Sequence, residues 1–281
     1  MRTTALFICL ATALVQGRQV QPFRATVEGI ELDVAVTRGN VPVRGLTARD
    51  FVVTDNGAVQ EVSSVTLEEA PLSVVLVLDV SRSVSGGRLQ QLIGASVRLA
   101  DSLRPDDEAA LVTFSHKVER RVPATLESRR LIDGLASLNG VGSTSLRDAV
   151  YLATQIQPAE RRRRPLVLLF SDGDDTASWL SETDVLAAAR RSAAVVHSVT
   201  VQRRPFLDRL ADITGGRVWL ATSNEQLEEL FSRALRDMRS RYLLTYSPKT
   251  RNTPGWHEIK VTLRNQRATI VARPGYVVPD P

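Results

Sequence analysis

Leu72-Ser73-Val74-Val75-Leu76-Val77-Leu78-Asp79-Val80-Ser81-Arg82-Ser83 decides how this chain folds. A valine-rich run with almost no polar interruption is what a strand covered on both faces needs, because neither side meets water. A half-buried strand would alternate instead. The run ends on an aspartate and a serine-rich turn, so its C-terminal end carries polar oxygen. A second stretch repeats the design: Leu166–Phe170 is apolar throughout and Ser171-Asp172-Gly173 follows at once.

Outward from these strands, helical and extended patterns alternate. Leu89, Leu92, Ile93, Ala100 and Leu103 mark one face of a helix. Ala109–Phe114 reads as the next strand and Val118–Val122 as an antiparallel edge. Helices are expected near 127–137 and 146–156, then from Ser181 to Arg191, over Phe206–Ile213, and from Ser223 to Met238. Ser181 with Asp184, and Ser223 with Gln226, have capping-box spacing. Ala194–Val201 and Val218–Leu220 complete the strands. Alternation of this kind predicts a mainly parallel sheet covered by helices on both faces, from Pro71 to about residue 240.

The flanks differ. Residues 24–70 carry alternating apolar positions such as Leu32, Val34 and Val36, turn signals at Arg38-Gly39-Asn40 and Asp55-Asn56-Gly57, and no helix beyond a turn near Thr47–Asp50. Strands recur at Tyr242–Tyr246, His257–Leu263 and Ala268–Ala272, with a turn-rich break at 251–255. Each set alone is too small to be stable in water. The expected architecture is therefore one small β domain built from both flanks, with the α/β domain inserted into it. The expected divisions are 1–17, 18–70, 71–240 and 241–281.

Residues 1–17 have the pattern of a signal peptide: Arg2, the apolar run Ala5 to Val15, and Gly17 before the cut. The run is too short to span a bilayer, and no transmembrane segment is expected after its removal. Cleavage would remove Cys9, the only cysteine, so the mature chain needs no disulfide. Apolar residues make up 43% of the 281, enough for a real core, and the formal charge of +5 biases partners toward acids only weakly. The one basic run, Arg161 to Arg164, lacks interleaved aromatics and reads as a solvated connecting loop, so no nucleic-acid partner is expected.

Three segments carry the chemistry: Asp79-Val80-Ser81-Arg82-Ser83, Gly142-Ser143-Thr144-Ser145-Leu146 and Ser171-Asp172-Gly173. The first and third sit at the C-terminal ends of central strands, the edge at which open α/β sheets bind ligands. Asp79 and Asp172 supply carboxylate oxygen; Ser81, Ser83 and Thr144 supply hydroxyl oxygen. That set suits Mg2+, or manganese in its place, which takes six oxygens at about 2.1 Å. Two carboxylates leave such an ion short of negative charge, and an open position would draw a carboxylate from a partner. Alone, Asp-x-Ser-x-Ser is also what a helix N-cap looks like. Three segments in order, each beside the expected strand or helix, are far more specific.

The arrangement Asp79-x-Ser81-x-Ser83, Thr144 and Asp172-Gly173 resembles the metal-ion-dependent adhesion site of von Willebrand factor A domains. The resemblance implies a Rossmann-like fold over roughly 72–238. It also implies that the hydroxyls of Ser81, Ser83 and Thr144 approach the metal, with Asp79 and Asp172 bound directly or through water. The flanks, with Val34–Gln60 before the domain and Tyr242–Tyr246 and Arg273-Pro274-Gly275-Tyr276 after it, are similar to a bacterial branch labelled VWFA-related acidobacterial.

The function this implies is non-catalytic: magnesium-dependent binding of a protein that offers an acidic residue. It would act outside the cytoplasm, in the periplasm, on the envelope or as a secreted protein. The alternative is an accessory subunit of a larger envelope or chelatase-like assembly, against which the signal peptide argues. A hydrolase would need a nucleophile elbow such as Gly-x-Ser-x-Gly, which is absent, or a general base or water-activating ligand set, and the motif holds no histidine or glutamate; a Gly-rich phosphate loop with lysine is absent too. Asp174 and Asp175 read as solvated loop charges. Trp179 either anchors a partner or packs under the helix it precedes. His116, His197 and His257 lack ligand spacing, and His197 reads as a core residue.

Overall fold

A computed structural model describes residues 29–39, 41–67, 70–249 and 253–280. The expected signal peptide, Cys9 and the expected start at Arg18 lie outside them, as do Asn40 and part of the 251–255 break. In chain order the N-terminal flank forms β1 (Ile30–Arg38), β2 (Val41–Pro42), β3 (Phe51–Asp55), β4 (Ala58–Gln60) and β5 (Val62–Leu67). The middle forms β6 (Leu72–Asp79), α1 (Gly87–Asp101), β7 (Glu108–Phe114), β8 (Val118–Thr125), α2 (Ser128–Leu135), α3 (Leu146–Gln155), β9 (Arg164–Ser171), α4 (Glu182–Arg191) and β10 (Val195–Thr200). It continues with α5 (Pro205–Thr214), β11 (Arg217–Leu220) and α6 (Leu227–Arg239). The end of the chain adds β12 (Tyr242–Tyr246), β13 (Gly255–Leu263), β14 (Thr269–Val271) and β15 (Gly275–Val278).

The central sheet has the order β11-β10-β9-β6-β7-β8, parallel except for β8, which runs back against β7 as the antiparallel edge. Every residue of β6 is buried, as its nearly continuous apolar run requires. Alternate side chains serve the two faces. Val74, Leu76 and Leu78 pack with Leu92, Leu99, Phe231 and Met238 under α1 and α6. Val75 and Val77 pack with Leu146, Val150, Val185 and Leu207 under α3, α4 and α5. Each such side chain contributes roughly 1.5–3 kcal/mol by leaving water.

The two flanks pair. β12 lies between β1 and β5, antiparallel to both, with Leu32 opposite Leu244. β3 pairs with β13, which pairs with β15. Leu32 and Val34, Phe51 and Val53, and Tyr242, Leu244 and Tyr246 fill the space between the sheets, and the Phe51 ring meets that of Tyr242 edge-on at 5.5 Å. The expected small β domain made of both flanks is therefore present.

Local signals fare unevenly. Ser181 accepts from Asp184 N at 3.2 Å, the expected N-cap. At the second box the direction is reversed: Gln226 Oε1 accepts from Thr222 N at 3.0 Å and Ser223 makes no cap bond. The basic run corrects the expectation of a solvated loop. Arg163 and Arg164 are only 3% and 4% exposed. Arg164 opens β9 and pairs with Asp33 of β1, while Arg163 pairs with Glu160 and donates to the Asp106 carbonyl. Arg164 thereby joins the α/β unit to the N-terminal flank, while Arg163 is held within the α/β unit, and Arg161 and Arg162 stay exposed. Gly215 is needed at the same junction. It ends α5 with φ +70°, and a Cβ there would lie 2.6 Å from the Arg273 nitrogen.

Candidate metal centre

The three segments meet because backbone bonds tie them. Val141 N donates to the Val80 carbonyl at 2.9 Å and Arg82 N to the Gly142 carbonyl at 3.0 Å, joining the first loop to the second. Thr176 N and Ala177 N both donate to the Thr144 carbonyl, at 2.8 and 3.0 Å, joining the second to the third. The side chains then gather over the C-terminal ends of β6 and β9, which are neighbours in the sheet.

Asp79 is fully buried. Its Oδ1 accepts from Ser81 N at 2.9 Å and its Oδ2 from Ser171 Oγ at 2.9 Å. Burial pushes its carboxyl above the usual carboxylate range, against the lowering effect of the bonds from Ser81 and Ser171. Ser83 Oγ donates to Asp172 Oδ1 at 2.8 Å, and Ser81 Oγ lies 3.0 Å from Ser83 Oγ, so Ser81 is the donor of that pair. Thr144 is 6% exposed. Its Oγ1 faces Gly173, 4.0 Å from where a side chain on that glycine would begin. All five residues expected to form the site are thus placed together.

Two residues that the sequence reading missed complete it. Ser171 holds Asp79 in orientation. Arg88, in the first turn of α1, pairs its Nη1 with Asp172 Oδ2. A fixed cation already sits on the carboxylate, and the donors around it are oxygens only, as a hard divalent ion requires. Among the described residues no three His, Cys, Asp or Glu side chains cluster as ligands; three of the five candidates here are hydroxyls, which such a pattern omits.

The rim is ordered by acids. Asp175 was read as a solvated charge but is largely enclosed: it accepts from Arg147 N at 2.8 Å, Arg147 Nη2 at 3.1 Å and Ser178 Oγ. Burial raises its pKa, but these bonds outweigh that and hold it below the usual range. Asp174 stays exposed and pairs with Arg204 at 2.8 Å. Asp148 accepts from Trp179 N and Leu180 N, each at 3.0 Å. The Trp179 side chain, 96% exposed, does not pack under α4. A cavity of about 440 Å3 beside Gly173 is lined by Arg147, Asp174, Arg204 and Phe206.

Residues 74–174 match the family model of the von Willebrand factor type A domain. The chain is 28% identical over 168 residues to the human inter-alpha-trypsin inhibitor heavy chain H4, covering 53% of this chain and 18% of that one. It is 26% identical over 156 residues to the bovine heavy chain H1, covering 51% and 17%. The match spans less than a fifth of the length of these relatives. A solved von Willebrand factor type A protein from Catenulispora acidiphila aligns with a TM-score of 0.54 at 11% identity, over 92% of this chain and 76% of that one. A mussel byssus proximal thread matrix protein, described with a zinc-occupied MIDAS motif, aligns with a TM-score of 0.51 at 14% identity, over 60% and 48%. Both are likenesses of fold.

Proposed function

We propose that this chain, a von Willebrand factor type A domain protein by its family match, is an exported module that binds a protein partner through Mg2+ held by Asp79, Ser81, Ser83, Thr144 and Asp172. The observation that carries this reading is the bonded chain Ser81–Ser83–Asp172 beside Asp79 at one sheet edge. The hydroxyls and carboxylates give one ion an all-oxygen surround on rigid strand ends. The bound ion supplies an electrophilic position for an incoming carboxylate. The chain's own residues do the rest: Ser171 and Ser81 N fix Asp79, and Asp148 and Asp175 hold the rim.

A partner's acidic residue entering there would meet Trp179 on the rim, a rigid and exposed aromatic of the kind that dominates interface energies. Manganese is the natural substitute. Export rests on the signal pattern in residues 1–17. Among the described residues no helix is long and apolar enough to cross a membrane. In this reading 71–240 carries the adhesion site, and 18–70 with 241–281 forms the unit that presents it. Calorimetric titration with magnesium tests the site: the wild-type chain should bind one ion, and Asp79→Ala, still folded by circular dichroism, none. Equal affinity in the two would place the metal elsewhere or nowhere.

A further inference from the structure

We infer that the groove between α6, β11 and the β1–β2 turn is a second binding site, for a linear oxyanion carrying successive phosphate or sulfate groups. The groove encloses about 570 Å3. Six arginines line it, among them Arg217, Arg233, Arg236 and Arg239, against two lining carboxylates, Glu229 and Asp237, and the buried Asp107 that pairs with Arg239. It lies at the opposite end of the sheet from the adhesion site. Asp107 fixes that placement: it accepts from Leu72 N, at the start of β6, at 2.8 Å and from Arg239 Nη2 at 2.5 Å. Asp79 ends the same strand, about 23 Å away at roughly 3.3 Å per residue.

The arrangement of the arginines points to a repeating anion. Arg233, Arg236 and Arg239 recur every third residue on α6, on one side of the helix, rising about 4.5 Å at each step. Arg217 comes from β11 across the groove. Like charges at this spacing weaken a helix, so helix stability does not explain them.

Internal pairing leaves much of the charge available. Arg233 is exposed and makes no ion pair among the described residues. Among the described residues Arg236 pairs with Glu229 alone, and both side chains are more than half exposed, so water and salt screen the contact. Asp237 is shared by Arg217, Arg241 and His197. The Arg239 Nη1 atom is buried with no hydrogen-bond partner. Guanidinium groups present paired N–H donors that match the oxygens of a tetrahedral oxyanion, and a row of them favours a chain of such groups over a single ion.

The test uses the full chain in chelator at low salt, so that the adhesion site is silent. Sodium tripolyphosphate and dextran sulfate are titrated separately by calorimetry, which separates a phosphate from a sulfate source. Wild type should bind at least one of them. Arg233→Ala/Arg236→Ala should lose at least tenfold in affinity with its thermal unfolding unchanged, since both side chains are exposed. Asp79→Ala should bind like wild type, which keeps this result independent of the metal reading. The inference is overturned if neither anion binds wild type, if the double variant binds as tightly, or if poly-glutamate binds and both oxyanions fail.

Discussion

Arg88 Nη1 pairs with Oδ2 of Asp172, while Ser83 Oγ donates to Oδ1 of the same carboxylate at 2.8 Å. Asp172 is thus bound by a cation before any ion arrives, and a divalent ion approaching it meets a fixed positive charge. Arg88→Gln keeps a donor at this position and removes the charge. It should tighten magnesium binding by about tenfold, or about 1.4 kcal/mol. Calorimetric titration of the two proteins decides it. Weaker binding by the glutamine variant would mean that the guanidinium steadies Asp172 for the ion rather than opposing it.

Trp179 offers a complementary test at the rim. Its indole is 96% exposed while its backbone nitrogen is held by Asp148 at 3.0 Å. Trp179→Ala should shift folding stability by no more than about 0.5 kcal/mol. Capture of an acidic protein partner in magnesium should weaken by about 2 kcal/mol or more. A variant that unfolds early yet captures the partner normally would show that the ring packs after all.

Two buried histidines should give the fold a stability optimum in pH. His197 accepts from Arg217 N at its Nδ1, 3.1 Å away, so its Nε2 carries the proton that faces Asp237 at 3.2 Å and the ring is neutral. Burial, above all, pulls its pKa down to about 4 from the ordinary 6.5. The unfolded chain takes up that proton first, so stability falls as pH drops from about 6.5 to 4, by about 3 kcal/mol in full. His257→Gln should keep this acid limb, and His197→Gln should flatten it. Urea midpoints measured across pH provide the comparison.

His257 acts with the opposite sign. Its Nδ1 lies 2.8 Å from Asp55 Oδ1 and its Nε2 2.8 Å from the Thr253 carbonyl, two acceptors that favour the doubly protonated ring. Burial lowers its pKa, but the Thr253 carbonyl and Asp55 outweigh it and hold the value above 6.5. The stabilisation is present below about 6.5 and is lost as pH rises through the higher folded value. His257→Gln should cost about 1.5–3 kcal/mol at pH 6 and less at pH 9. An equal cost at both would mean that the ring is neutral throughout.

The sequence revealed what depends on local composition and little of what depends on encounters between distant segments. The buried strands were legible because an apolar run has few other uses, and Asp79 and Asp172 because each directly follows one. Arg88 was not, because its role arises only when α1 folds back over a loop 84 positions later. Arg163 and Arg164 read as solvated because four consecutive arginines usually are. Their burial depends on Asp33 and Glu160, and Asp33 lies in the N-terminal flank, 131 positions before Arg164. Gln226 replaced Ser223 as the capping group because the turn there is tighter than an α-helix and brings its side chain to Thr222.

The last expectation concerns whether the adhesion site moves the β domain. α6 runs into β12 through Ser240 and Arg241 alone, so a sliding helix would pull directly on the strand between β1 and β5. The junction is pinned instead. Arg241 is fully buried, its Nη1 donates to the Gly215 carbonyl at 2.6 Å, and its Nε and Nη2 donate to Asp237 at 2.9 and 2.7 Å. Asp237 is itself held by Arg217, and its pKa lies far below the usual range: burial opposes the charge, but Arg241 and His197 outweigh it. Asp237 and Arg241 would move together, but shifting α6 by a turn would break the contacts from Arg241 to the Gly215 carbonyl and from Asp237 to Arg217 and His197, leaving buried charged groups short of partners, which costs about 3–5 kcal/mol. Coupling between sites is typically worth about 1–3 kcal/mol, too little to drive that break. Amide hydrogen exchange across Leu227–Tyr246 should therefore be the same with and without saturating magnesium. Arg241→Gln should raise exchange there, since it frees the helix end. Magnesium-dependent protection in the wild-type chain would show that the pin yields and that the site and the β domain communicate.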